Sequence, residues 1–135
     1  MQEAGHLYTR GRQLVMETLA EVGAPATAPA ILQAAPRLVQ SSLYRNLAVL
    51  QDAGLVTRVD VGEDRAFFEL SELVTQEHHH HLVCRECSTV VDVALPARAE
   101  RALGRALGDA ALDAGFELTD HRVDLVGVCA TCRAA

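Results

Sequence analysis

Two Cys-x-x-Cys pairs constrain this chain more than any other feature. They lie in HLVCREC and VGVCATC and contain all of its cysteines, namely Cys84, Cys87, Cys129 and Cys132. A gap of two residues lets a tight turn point both sulfurs at one ion, and four thiolates complete a tetrahedral Zn²⁺ site. Residues 88–128 separate the pairs, a longer stretch than the ~15–20 residues of a zinc-ribbon loop. The motif therefore predicts a structural zinc that joins two distant segments of one domain. Two free thiol pairs or redox motifs are the alternative.

Four consecutive histidines precede the first cysteine pair, at positions 78–81. The run is internal, so it is not a terminal purification tag. The apolar residues that follow it predict a β-strand, in which His79 and His81 share one face while His78 and His80 share the other. Each imidazole pair then suits a separate metal site. A solvated polar linker is the alternative.

Length and composition set the broad class of protein. A chain of 135 residues, 50% of them hydrophobic, suffices for one compact domain or two small ones. No apolar run reaches the ~18 residues of a membrane span, and the first ten residues lack the apolar core of a signal peptide. We therefore expect no membrane association and a cytoplasmic location, where paired cysteines are more often metal ligands than disulfides.

The charge is distributed unevenly along the chain. A net charge of −6 argues against a general nucleic-acid binder. The first 60 residues nevertheless contain as many Arg as acidic residues, so the acidic excess lies in the remainder. All basic residues are Arg, which we interpret as a composition bias, although guanidinium groups also suit phosphate.

Capping residues and breakers predict three helices in the first part of the chain. They are Arg10–Val22 after Thr9, Ala28–Ala35 after Thr27, and Ser42–Asp52 after Ser41. Glycines end the first and the third helix. The segment LVTRVDVGEDRAFFEL then predicts two strands around a turn at 62–65. Three short helices followed by a hairpin are the pattern of a winged helix-turn-helix, although this arrangement also occurs in proteins that bind no DNA.

In a winged helix-turn-helix the third helix enters the major groove. We expect its exposed face to present polar side chains that suit phosphates and base edges, namely Ser41, Ser42, Tyr44, Arg45 and Asn46.

The second half predicts a smaller α/β domain. A hinge at 71–77 precedes it, and strands at 81–84 and 90–93 flank the first cysteine pair. A helix is predicted over 96–114 and a last strand over 117–128. The sequence thus predicts an α+β chain with a winged-helix domain at 1–70 and a small zinc-containing α/β domain at 78–135.

The chain resembles the ferric-uptake-regulator (Fur) family of metal-dependent repressors along nearly its whole length. The segments that carry the resemblance are SSLYRNLAVLQDAGLV, FFEL, HHHHLVCRECSTVVDV and ELTDHRVDLVGVCATC, in this order and spacing. The family implies a homodimer, an N-terminal winged helix, a C-terminal dimerisation domain and metal-driven binding to double-stranded operator DNA. It implies a repressor of metal-homeostasis genes, with no enzymatic activity and no small organic substrate.

The resemblance also implies roles for particular residues. Tyr44 and Arg45 match the Tyr-Arg pair of the recognition helix, and Arg12 matches an Arg that faces the DNA backbone. The four cysteines match the structural zinc ligands. Three residues match a regulatory site between the domains: Glu69, His79 and His81. Three others match an additional site, namely His78, His80 and His121, while Asp92 matches an acidic position that some members use as a ligand and is grouped with that additional site.

The chain departs in four respects from the pattern of the family or of one of its branches. A His that often precedes the second helix is replaced by Ala24 and Pro25, so Asp92, another side chain or water is needed to complete the regulatory site. The chain has no fifth cysteine, which the zinc-sensing branch often uses. The peroxide-sensing branch carries Asp at the position of Glu69. Leu7 stands where a minor-groove Lys often lies.

The ligand types leave the regulatory metal open. A Glu/His/His set accepts Zn²⁺, Fe²⁺, Mn²⁺ or Ni²⁺, and we expect Zn²⁺ or Fe²⁺ ahead of the other two. A regulator that senses manganese, nickel or peroxide is the alternative. Two further hypotheses are a zinc-stabilised interaction module without metal sensing and a metallohydrolase, which uses a similar ligand set. No HExxH motif supports the hydrolase.

Overall fold

The computed structural model describes residues 9–61 and 65–135. They form two compact units, one ending at Glu77 and the other beginning at His78. The helices and the two small sheets confirm the predicted α+β class. Most of the turn predicted at 62–65, and the departure noted at Leu7, lie outside the described residues.

Helices α1 (Arg10–Val22) and α2 (Ala28–Ala34) begin at the predicted caps. The hydroxyl of Thr9 accepts a hydrogen bond from the backbone N–H of Arg12, and Thr27 accepts one from Ala30. Gly23 ends α1 at φ 65°, a left-handed conformation that glycine adopts without strain. Helix α2 ends one residue before the predicted Ala35.

Helix α3 (Gln40–Asp52) begins two residues earlier than predicted. Val39, not Ser41, is its N-cap, and no side chain caps the helix. The carbonyl of Val39 accepts hydrogen bonds from the backbone N–H groups of Ser42 and Leu43, each at 3.1 Å. Ser41 therefore lies inside the first turn, so the prediction of a Ser41 cap was wrong.

A hairpin completes the first unit. Strands β1 (Val56–Asp60) and β2 (Ala66–Leu70) pair in antiparallel register, and Ala26 forms a bridge to Phe68 on the other edge. The core beneath them consists of side chains from all three helices and the hairpin: Val15, Leu19, Ala26, Ala28, Ile31, Leu43, Leu47, Leu50, Val56 and Phe68. This packing buries one face of α3 in the core and leaves the opposite face exposed to solvent.

The segment 71–77, predicted as a hinge, belongs to the first unit. It contains a one-turn helix, α4 (Glu72–Thr75). The Ser71 hydroxyl donates a 2.7 Å hydrogen bond to the carbonyl of Gly54, which ties the start of this segment to the end of α3.

The second unit contains a three-stranded sheet of order β4-β3-β5, built from β3 (His80–Cys84), β4 (Val90–Val93) and β5 (Asp124–Gly127). Strand β3 is antiparallel to β4 and parallel to β5. Helix α5 (Ala97–Asp113) connects β4 to β5, and α6 (Ala130–Ala134) follows the last strand. None of the helices within 9–61 and 65–135 has the length and hydropathy that a membrane crossing requires.

The last strand is much shorter than the predicted 117–128. Strand β5 pairs only with β3, from His81 opposite Asp124 to Cys84 opposite Gly127. The pairing begins where the His81 N–H donates a 3.4 Å hydrogen bond to the carbonyl of Val123, and residues 117–123 remain irregular. Helix α5 lies within the predicted 96–114 and is one residue shorter at each end.

Candidate metal centres and DNA-contact face

The four cysteine sulfurs lie together, within 4.8 Å of one another. Cys84 ends β3, Cys87 lies in the following turn, Cys129 caps α6, and Cys132 lies inside α6. All four are free thiols, and the sulfurs of Cys87 and Cys129 are 3.8 Å apart. A tetrahedron with Zn–S bonds of ~2.3 Å has edges of about 3.8 Å. The cluster therefore has the donor type and the spacing of a structural zinc site.

Hydrogen bonds within the cysteine cluster lower the pKa of some of its thiols and raise that of another. The backbone N–H of Cys129, 3.3 Å from the sulfur of Cys84, is the main reason that the pKa of Cys84 falls from 9.0 to about 6. A hydrogen bond with the Thr89 hydroxyl lowers the pKa of Cys87. Hydrogen bonds with Cys129 and then Cys87 raise the pKa of Cys132 to about 12. One thiol therefore ionises easily, whereas ionising all four requires a cation.

One imidazole pair joins His121 and a carboxylate from α5. The Nε2 atoms of His78 and His80 lie 2.9 Å and 2.8 Å from the carboxylate of Glu100, and His121 Nε2 lies 3.3 Å from it. Burial raises the pKa of Glu100, but the hydrogen bond with His80 and the charge of His78 outweigh it, so the pKa falls below 4.5. These four residues form the first histidine cluster.

Sequence reasoning missed Glu100. It is the only carboxylate in PARAERALGRALG, at the start of the helix that packs on this face. Its neighbours Arg98 and Arg101 suggested an ordinary solvated helix surface. The one available signal was that a helix crossing back over the sheet brings its first turns near the histidine strand.

The other imidazole pair lies on the opposite face of the sheet with Asp92. His81 is directly opposite Asp92 in the β3–β4 register, and directly opposed residues share a face. The buried Oδ1 of Asp92 lies 3.4 Å from His79 Nε2 and 3.5 Å from His81 Nε2. We call His79, His81 and Asp92 the second histidine cluster. Asp92 was grouped with His78 and His80, and that grouping was wrong because His80 pairs with Val93 instead.

The second histidine cluster has the chemistry of a divalent-metal site. Its three ligand atoms converge at distances that suit a shared cation better than direct hydrogen bonds. Asp124 approaches His81 Nδ1 to 3.5 Å from the far side of the ring. Glu69, the remaining residue of the predicted regulatory site, lies in β2 of the first unit, opposite Thr57.

Helix α3 presents a narrower polar face than the sequence predicted. Ser41, Tyr44 and Arg45 are exposed, with 57% of Tyr44 accessible. Ser42 and Asn46 are half-buried toward α1, so the prediction of exposure was wrong for these two.

Two further features accompany this face. Arg12 Nε donates a 3.3 Å hydrogen bond to Asn46 Oδ1. Tyr44 also borders a cavity of about 520 Å³ whose charged residues are Arg58 and Arg65 of the hairpin. Arg58 Nε forms a 2.9 Å ion pair with Asp60 Oδ1, which offsets part of its charge. Arginines therefore lie around α3, where they suit contact with phosphate.

Taken together, a three-helix unit with a hairpin, a four-cysteine cluster and two histidine clusters define a metal-binding, DNA-binding regulator. A model of the Ferric uptake regulator family matches residues 3–126, so the chain belongs to that family. Members are dimeric DNA-binding regulators that respond to metal and are not enzymes, which removes the metallohydrolase hypothesis.

Similar proteins agree with this assignment. The peroxide-responsive repressor PerR of Staphylococcus epidermidis is 29% identical over 138 residues, which cover 98% of this chain and 85% of that protein. The ferric uptake regulator of Vibrio cholerae has a TM-score of 0.72 at 28% identity, over 90% of this chain and 91% of that chain. The ferric uptake regulator from Francisella tularensis, solved with iron, has a TM-score of 0.74 at 18% identity over 93% of both chains, a likeness of fold alone.

Proposed function

We propose that this chain binds operator DNA and represses metal-homeostasis genes when a divalent metal occupies the second histidine cluster. The observation that carries the proposal is the convergence of His79, His81 and Asp92 on one point, on the sheet face opposite His78 and His80. Because the four cysteines already supply a complete structural site, this cluster is available for a metal that binds reversibly.

The donor set favours a divalent metal that accepts both nitrogen and oxygen ligands. Two imidazole nitrogens and a carboxylate oxygen suit Zn²⁺ and Fe²⁺, and also Mn²⁺ and Ni²⁺. Such an ion supplies positive charge and a defined coordination geometry when it is bound. His79 and His81 contribute neutral nitrogens, while Asp92 contributes the charge that offsets part of the ion's charge. We propose Zn²⁺ or Fe²⁺ as the regulatory metal.

Glu69 is proposed as a further ligand, on the resemblance to the family alone. It belongs to the unit that contains α3, whereas His79 and His81 belong to the other unit. Ligands from both units favour one arrangement of the chain over the alternatives. Metal binding and DNA binding then stabilise the same state, which couples them thermodynamically in both directions.

We assign the first histidine cluster to an additional metal site. Glu100 and three imidazoles offer four donors of the kinds that Zn²⁺ accepts. Glu100 holds His78, His80 and His121 near one another. We expect this cluster to stabilise the second unit more than it controls DNA binding.

The proposed DNA contacts come from α3 and α1. Tyr44 is placed to pack against a base edge or a thymine methyl, and Arg45 to pair with phosphate. Arg12 is proposed to face the backbone. A dimer presents two copies of α3, so we expect a palindromic operator. The cytoplasmic location expected from the sequence stays a prediction.

The proposal is tested by metal-dependent selection of DNA. Duplexes enriched from a randomised library are titrated with the full-length protein at buffered free Zn²⁺, Fe²⁺ and Mn²⁺, each in a separate series. We expect one of these metals to raise affinity by about 10- to 100-fold. Equal affinity with and without every metal would favour the zinc-stabilised module without metal sensing.

Response to peroxide is a second candidate function. It is favoured by the similarity to peroxide-responsive repressors of Staphylococcus epidermidis and Staphylococcus aureus, at 29% and 28% identity. The expected Asp at position 69 is Glu69 here, which argues for the metal response instead. Hydrogen peroxide added to the iron-loaded protein on DNA, with the manganese-loaded protein as control, distinguishes the two. Rapid release from the iron form alone would support peroxide sensing.

A further inference from the structure

The side chain of Asn46 is held between α3 and α1. Its Oδ1 accepts a hydrogen bond from Arg12 Nε across 34 positions of sequence. A Cβ atom on Gly11 would lie only 3.2 Å from Asn46 Nδ2. Because Gly11 has no side chain, the Asn46 amide fits against α1 at this position. Asn46 is therefore fixed by two neighbouring positions of α1.

This placement separates Asn46 from the exposed face of α3. Tyr44 and Arg45 are exposed, whereas Asn46 and Arg12 are both half-buried. An amide turned toward α1 is poorly placed to read a base edge, which requires a side chain that projects into the groove. The hydrogen bond with Arg12 indicates a different role for Asn46.

A hydrogen bond at Nε restricts the plane of an arginine guanidinium. Nε is part of the planar group, so a bond there limits rotation of the two terminal nitrogens. A guanidinium held in one plane loses less conformational freedom when it contacts a phosphate. The amide of Asn46 therefore makes Arg12 a better phosphate ligand than a freely rotating arginine.

The surroundings of Asn46 have the charge that DNA backbone requires. A cavity of about 530 Å³ between α1 and the start of α3 is bordered by Asn46. Its charged residues are Arg10, Arg37 and Glu17, which leaves an excess of positive charge. A polyanion approaching this side of α3 is attracted toward Arg12 and its neighbours.

We propose that Asn46 is a positioning residue, which orients Arg12 toward a backbone phosphate of the DNA and reads no base itself. This inference rests on the proposed DNA-binding function. It assigns Asn46, which the sequence indicated as a direct DNA contact, an indirect role through Arg12.

A double-mutant cycle with Arg12→Ala, Asn46→Ala and the double variant tests the proposal. The probes are the DNA duplexes that the metal-loaded wild-type protein enriches from a randomised library. Arg12→Ala should lower the salt slope of binding by about one unit. Asn46→Ala should weaken binding roughly three- to tenfold in the wild-type background, and it should change nothing further when Arg12 is already Ala. The sequences enriched by Asn46→Ala should match those of the wild type.

Gln51→Ala is the matched control, since it removes an exposed amide from the other end of α3. It should bind DNA like the wild type, and all variants should share its thermal midpoint within a few degrees. Additive losses in the cycle, or altered base preference for Asn46→Ala, would overturn the inference alone. Absence of duplex binding by the wild type with every metal would overturn the proposed function and this inference together.

Discussion

At the scale of residues, the four cysteines show how one cluster couples metal binding to the stability of the fold. The backbone N–H of Cys129 is the main cause that lowers the pKa of Cys84 to about 6, whereas hydrogen bonds with the thiols of Cys129 and Cys87 raise that of Cys132 to about 12. Each ionised thiol makes the next harder to ionise, and a bound cation removes that repulsion. The binding free energy of the metal thus becomes part of the folding free energy of the second unit.

Loss of one sulfur should therefore unfold this unit. Cys84→Ser and Cys132→Ser should each lose about one zinc per chain and a large part of the thermal stability, because serine is a poor zinc ligand. Metal content by mass spectrometry and melting by circular dichroism measure both effects. Thr131→Ala, which removes an exposed hydroxyl between Cys129 and Cys132, serves as the control. Full zinc content in either serine variant would refute the structural role.

Glu100 should make stability depend on pH in the acid range. Its pKa is lowered below 4.5 in the folded protein, so its ionised form contributes stability that is complete above 4.5 and is lost as pH falls through the folded value. Without metal in the first histidine cluster, Glu100→Gln should lower the thermal midpoint at neutral pH. That difference should shrink below pH 4.5.

Thermal melting at a series of pH values measures the Glu100 effect. The exposed Glu117→Gln is the control and should show the wild-type pH dependence. A Glu100→Gln difference that stays constant down to pH 3 would show that the carboxylate contributes through packing and not through its charge.

At the scale of elements, α3 separates a contact face from a packing face. Tyr44 and Arg45 project outward, while Leu43 and Leu47 are buried in the core. Arg45→Ala should weaken DNA binding and reduce the salt slope by about one unit, because one phosphate contact is lost. Tyr44→Ala should instead relax base preference. Fluorescence anisotropy at several salt concentrations measures the first effect, and repeated selection from a randomised library measures the second.

The outcome that would contradict this role of α3 is wild-type affinity in both variants. Gln51→Ala again provides the control on the same helix. Wild-type affinity in all three would transfer DNA contact to another surface, such as the hairpin arginines Arg58 and Arg65.

The elements also show what the sequence could and could not predict. Helical caps such as Thr9 and Thr27 act locally, so α1 and α2 were predictable to within a residue. Strand alternation is also a local property, so it predicted that His79 and His81 lie on the other face from His78 and His80. His121 was expected beside His78 and His80 from the family resemblance. The carboxylate partners were not predictable, since Glu100 and the register that brings Asp92 to His81 depend on tertiary packing. The length of β5 likewise depends on its pairing with β3, which is a tertiary contact.

At the scale of the whole molecule, the described part of the second unit exposes more large apolar side chains than that of the first. Its described core is small, and Val126 on the edge strand β5 is 68% exposed. An exposed apolar edge strand is a natural site for pairing with a second copy. Val126→Glu should weaken the dimer while zinc content is unchanged, as measured by sedimentation at several concentrations. Leu73→Glu, which alters an equally apolar residue of the first unit that is 78% exposed, should leave the dimer intact.

The central claim is that metal sensing depends on the second histidine cluster and is separable from the cysteine site. The most direct measurement is DNA affinity against buffered free metal for the wild type, His81→Ala and His78→Ala. His81→Ala should remain folded with its structural zinc, about one per chain, and should lose the metal-dependent rise in affinity. His78→Ala, altered on the opposite face of the sheet, should keep most of that rise. A full metal response in His81→Ala, or its loss only in His78→Ala, would contradict the account.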